Sequence, residues 1–221
     1  MVIMRSFCIV GLGCFGMALT NALLEKKLQV MVISEDAEAV NAIADRVTSA
    51  VIGDPTSEAV LRSSGAADYD CAVVCIDDNM SDSILATMIL KELGVAEVVA
   101  RAMNERHKRI LTRVGADMTV FPEEDMGDRL AQVLSKKEVL EYFSFSDDYS
   151  IVEIHVPKDW IGRSMIDIHI RHRYGVTVVA VRHAGGRLDP LPSPDALFEE
   201  GDTITVVGTD DRIEKLTKRL Q

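Results

Sequence analysis

The sequence predicts an α/β protein: a doubly wound parallel sheet followed by a second, smaller α+β domain. Three observations carry that prediction. Short apolar runs rich in Val and Ile recur about every 20 residues and alternate with segments of helical periodicity, as in a parallel sheet with crossover helices. The runs are apolar at successive positions, as in AVVCI at 72–76, so helices must cover both faces of the sheet. The first run also passes directly into a glycine-rich turn and a helix, FCIVGLGCFG at 7–16.

Strands are expected at 7–10, 29–33, 49–52, 71–76, 98–101 and 118–121, with helices in the gaps. The first helix, 14–26, turns Met17, Leu19, Leu23 and Leu24 toward the sheet, and the fourth spans 80–93. After Phe121 the pattern changes. Residues 123–140 read as one long helix, and 142–148 are polar and aromatic without periodicity, so the expected division is 1–122, a connecting helix at 123–141, and 142–221. The last segment offers strands at 151–156, 176–183 and 203–207, a helix near 164–171, a turn at Gly185-Gly186 and a final helix from Asp210. It does not repeat the first domain, and no segment is of low complexity.

Composition narrows the function. A chain of 221 residues that is 48% hydrophobic can bury a core without disulfides or metals. With 35 acidic and 24 basic side chains the net charge is -11, which repels phosphate backbones and argues against nucleic acid as a partner. No stretch approaches the roughly 18 apolar residues that cross a bilayer, and the N-terminus lacks the features of a signal peptide, so a cytoplasmic location is expected. Of the four cysteines, Cys8, Cys71 and Cys75 lie in strand-like runs and read as core. Cys71 and Cys75 would be about 13 Å apart on a strand, too far to share a zinc ion. Cys14 differs: it sits in the glycine turn before a helix, where the positive helix end can activate a thiol, so a redox sensor centred on Cys14 stays open.

In doubly wound sheets, ligands bind outside the carboxyl ends of the strands. Gly11-x-Gly13-x-x-Gly16 fits such a site. Gly11 permits the tight turn, Gly13 lets backbone approach a pyrophosphate, and Gly16 lets the helix pack on the strand. The whole turn, Gly11, Leu12, Gly13, Cys14, Phe15 and Gly16, is therefore the candidate phosphate cradle of a Rossmann-type domain. The acid that usually meets the ribose at the end of the second strand is replaced by Ser34, leaving its hydroxyl, Glu35 or Asp36 for that contact. Asp54 and Thr56, after the third strand, either cap the next helix or lie beside the base. Ile76, Asp77 and Asn79 follow the fourth strand and Arg101 ends the fifth, all at the same edge.

No catalytic constellation accompanies this cradle. The five histidines, His107, His155, His169, His172 and His183, form no triad or metal spacing and read as solvated or edge-strand residues. The basic cluster Arg106, Lys108, Arg109 and Arg113 reads as a solvated helix face. A small NAD(H)-dependent oxidoreductase remains the alternative to a binding protein.

VGLGxFG at 10–16, AVIGDPT at 50–56, LKELG at 90–94, VGAD at 114–117, PEEDMG at 122–127 and YGVTVVAV at 174–181 together resemble the RCK or KTN regulatory domains of potassium channels and transporters, and within them the Ktr/Trk-type cytosolic subunits. The resemblance implies a non-enzymatic gating subunit. Such subunits form an octameric ring at the inner face of the membrane, beneath a membrane-embedded potassium-translocating partner, and change shape with bound nucleotide. ATP or ADP would be the ligand, with NAD(H) or AMP as variants. The helix at 123–140 would cross to a neighbouring subunit, and Glu123 would match a position that binds a divalent cation between subunits. Met165, Ile166 and Arg171 would match residues that bind cyclic di-AMP. Two positions depart from the family pattern: Cys14 stands where ATP-selective subunits carry arginine, and Ser34 where they carry an acid.

Overall fold

The computed structural model describes residues 5–135, 139–146 and 148–218. The chain divides after Pro122 into two compact units. The first comprises β1 (Ser6–Val10), α1 (Cys14–Glu25), β2 (Gln29–Ser34), α2 (Ala37–Ile43), β3 (Ser49–Ile52), α3 (Glu58–Ser63), β4 (Cys71–Val74), α4 (Met80–Glu92), β5 (Glu97–Arg101), α5 (Glu105–Arg113) and β6 (Met118–Val120). Its six strands are parallel in the order β3-β2-β1-β4-β5-β6. Successive residues of one strand serve opposite layers of core. Cys8 and Val10 pack with Met31, Val74 and Leu90 on one face, while Ile9 packs with Val32, Val73 and Ile43 on the other. That is why β1 has no polar alternation.

β4 stops at Val74, two residues short of the expected end. Its neighbour β1 leaves the sheet at the glycine turn, so a single bond, from Cys75 N–H to the Val10 carbonyl at 2.7 Å, continues the ladder. α2, α3, α4 and α5 open on Asp36, Ser57, Asn79 and Asn104, whose side-chain oxygens accept first-turn N–H groups.

The second unit contains α6 (Pro122–Ser135), β7 (Val139–Ser146), β8 (Tyr149–His155), α7 (Met165–Ile168), α8 (Ile170–Tyr174), β9 (Thr177–Arg182), β10 (Leu188–Asp189), β11 (Thr203–Thr209) and α9 (Asp210–Lys218). Its antiparallel sheet runs β10-β9-β11-β8-β7 and covers a core that includes Trp160, Ile168, Ile204 and Leu216.

Here the expected elements need three corrections. The helix expected to reach residue 140 is assigned only to Ser135, and Val139 and Leu140 belong to β7, where Val139 faces Ile154 of β8. Residues 136–138, part of that expectation, lie outside the described residues. The stretch at 142–148, polar and aromatic without periodicity and expected to mark the domain boundary, is strand as far as Ser146, with Tyr142 opposite Val152 and Phe143 opposite Ile151. Aromatic side chains suit a pleated, half-buried surface even where polar neighbours blur the alternation. The expected helix at 164–171 is broken at His169, whose φ of 54° is left-handed and separates α7 from α8.

Candidate functional site

The strand order reverses between β1 and β4, and the glycine turn emerges at that point. Gly11 has φ +98°, and its N–H donates to the Ile33 carbonyl at 2.8 Å. A methyl group on Gly11 would come 2.8 Å from the Cys75 carbonyl oxygen, and one on Gly16 would overlap the Gly11 carbonyl oxygen. The absence of a side chain at both positions thus lets β1, β4 and α1 converge. α1 begins after Gly13 with no side-chain cap and no acid in its own first turn, so its positive end is not neutralised from within the helix.

Within the turn, Leu12 is buried and Phe15 half-buried in the core, so these two present backbone to the crevice, while Cys14 is exposed. The other three cysteines are core residues. Burial pushes the Cys75 thiol up to about 12 and the Cys71 thiol up to about 11, and raises Cys8 further. Cys75 belongs to the site through its backbone, which the sequence reading missed. The parallel register pairing Val10 with Val74 is what places it beside Gly11.

At the end of β2, Ser34 is buried, and its hydroxyl accepts from Asp36 N–H at 3.2 Å. Asp36 caps α2, and Glu35 is exposed. Asp54 and Thr56 do not cap α3, which is the task of Ser57. Instead Asp54 Oδ1 accepts from Thr56 N–H at 2.7 Å and from its hydroxyl at 2.6 Å, and these bonds hold the Asp54 carboxyl below the usual carboxylate range. Asn79 caps α4, and Ile76 is half-buried. Arg101 donates to Asp77 Oδ1 at 2.6 Å, and the Asp77 carboxylate lies against Gly13. Gly13, Asp77 and Arg101 are therefore brought together from three separate elements.

In the second unit, Met165, Ile166 and Arg171 line one open cleft of about 360 Å³ together with Ile170, Pro192 and Pro194. Glu123 lies in the acidic first turn of α6. Among the described residues no three His, Cys, Asp or Glu side chains cluster as metal ligands, and no helix is long and apolar enough to cross a membrane. His107 corrects the expectation of a solvated histidine. It is fully buried, its Nδ1 accepts from Met103 N–H at 3.2 Å, and burial lowers its pKa.

Residues 7–122 match the TrkA-N domain family and residues 149–221 the TrkA-C domain family. Ktr system potassium uptake protein C of Bacillus subtilis (strain 168) is 36% identical over 216 residues, 98% of this chain and 97% of its own length. The GsuK channel superposes with a TM-score of 0.68 at 18% identity over 97% of this chain and 39% of the channel chain, a likeness of fold. A structure of GsuK bound to ADP superposes with a TM-score of 0.52 at 26% identity, covering 59% of this chain and 34% of that one.

Proposed function

The chain belongs to the family of potassium uptake proteins that join a TrkA-N domain to a TrkA-C domain, and we propose that it is the nucleotide-binding regulatory subunit of such a system, making and breaking no bonds itself. The observation that carries this reading is the bare glycine turn at the strand-order reversal, where the uncapped end of α1 can receive a phosphate. The GsuK relative bound to ADP supports an adenine nucleotide as the ligand.

In this reading residues 1–122 form the nucleotide domain. Gly11 makes the turn, backbone N–H groups of Leu12, Gly13, Cys14, Phe15 and Gly16 cradle the phosphates, Ser34 and Glu35 face the ribose, and the Asp54–Thr56 loop, Ile76, Asp77, Asn79 and Arg101 border the crevice. Cys14 supplies no cation for a third phosphate, so ADP, AMP and NAD(H) compete on better terms with ATP than they would opposite an arginine. Nucleotides that prefer different conformations shift the population between them, and the potassium-translocating membrane partner responds to the conformation.

That partner holds the subunit at the inner face of the membrane. Self-association completes the regulator. α6 leaves Met126, Leu130 and Leu134 exposed at i, i+4 and i+8, a stripe suited to a second copy in a ring. Glu123, at the start of the same helix, is the carboxylate proposed to meet a divalent cation between copies, and the Met165–Ile166–Arg171 cleft is proposed for cyclic di-AMP.

A thermal-shift panel with ATP, ADP, AMP, NAD and NADH tests the reading. At least one adenine nucleotide at 100 times its Kd raises stability by about 2.7 kcal/mol. No shift with any of them, or substrate-dependent oxidation of NADH, would overturn it.

A further inference from the structure

We propose that Asp77 is a built-in competitor for the nucleotide's phosphates, tethered over the glycine turn by Arg101, and that it weights the site against the more highly charged nucleotides. The inference rests on the nucleotide reading above and deepens it.

A methyl group on Gly13 would overlap the Asp77 carboxylate, so that carboxylate occupies the space over the one glycine whose bare backbone has to face a pyrophosphate. It is held there. Arg101 donates to Asp77 Oδ1 at 2.6 Å, and the two side chains are only 11% and 25% exposed, so solvent and salt screen the pair less than a surface pair. The first turn of α1 carries no acid of its own. The fixed negative charge at this helix end therefore comes from the loop after β4, while the neighbouring Asp78 is exposed.

A carboxylate and a phosphate cannot share the surface of Gly13, because like charges in contact repel. Entry of a phosphate displaces Asp77 and exchanges one anion for another beside Arg101. The penalty grows with ligand charge, so ATP is disfavoured more than ADP, and ADP more than AMP. Nucleotide preference is then set by an acid beyond the glycine motif, at a position whose role follows from what it touches.

Calorimetric titration of ATP, ADP and AMP into the full chain and into Asp77→Asn, at one fixed ionic strength, decides the matter. The substitution is expected to tighten ATP binding about tenfold and AMP binding by less. In an Arg101→Gln background the gain is expected to shrink, because the carboxylate is no longer held in place; the double-mutant cycle isolates that coupling. If the native chain binds nucleotide and Asp77→Asn binds all three with unchanged affinity, the competitor is ruled out and the nucleotide reading stands. If neither protein binds any nucleotide, both fall. An undiminished gain beside Arg101→Gln overturns the tether. Should circular dichroism show Asp77→Asn unfolded, Asp77→Ser removes the same charge and the same comparison applies.

Discussion

Gly16 and Gly13 are both bare, yet their substitution has different consequences. A methyl group on Gly16 would overlap the carbonyl oxygen of Gly11, a backbone atom fixed by the turn, whereas one on Gly13 would meet the end of the Asp77 side chain. Backbone cannot rotate away as a side chain can. Gly16→Ala is therefore expected to destabilise the first unit by about 1–3 kcal/mol, as overpacking does, and to abolish the thermal shift with ADP. Chemical denaturation with and without ADP checks both effects, and a native-like midpoint would remove Gly16 from its place in the packing of α1. The cysteines illustrate the same dependence on surroundings. Cys8, Cys71 and Cys75 are buried thiols whose ionisation burial opposes, while Cys14, on the turn, is exposed.

The sheet of the second unit is pinned by a polar junction across three strands. Glu153 of β8 accepts from Arg182 Nε of β9 at 2.9 Å and from the Thr203 hydroxyl of β11 at 2.6 Å. The Arg182 bond is the main cause that holds the Glu153 carboxyl below its usual range. A carboxyl lowered on folding contributes stability above its unfolded value, near 4.5, and loses that contribution as the pH falls through its folded value. Glu153→Gln is expected to cost about 1.5 kcal/mol at pH 7, the low end of the range for hydrogen bonds to a charged group because Arg182 is partly exposed, and the difference from the native chain is expected to narrow below pH 4.5. Urea unfolding across that range measures it; a gap unchanged at low pH would sever the link to this carboxylate.

α6 leaves an apolar stripe uncovered. Met126, Leu130 and Leu134 are 56%, 52% and 74% exposed on a helix with no buried residue. Monomers seldom leave a contiguous apolar stripe in water. Leu130→Glu is expected to lower the mass found by light scattering at least twofold if the stripe packs against a second copy, since burying an unpaired charge there is unfavourable. An unchanged mass would assign the stripe no part in assembly. Surface charge acts at longer range: a chain of net charge -11 repels anionic ligands, so any phosphate site has to act through local dipoles such as the end of α1.

Much of this was legible in the order of residues alone. The six strands of the first unit, α1 and α4 follow from apolar runs and helical spacing, and the glycine turn from three glycines at fixed offsets, because these signals lie within one element and its immediate neighbours. Where α6 ends and β7 begins was not legible, since the aromatic and polar residues of 142–146 acquire their alternation only from pairing with β8. Nor could local spacing show that Ser57, and not Asp54, caps α3, for both are competent caps and backbone geometry chooses between them. The meeting of Gly13, Asp77 and Arg101 is the clearest case. Residues 64 and 24 positions apart share one crevice because β1, β4 and β5 lie side by side in a parallel sheet, which delivers the loops at their carboxyl ends to the same edge.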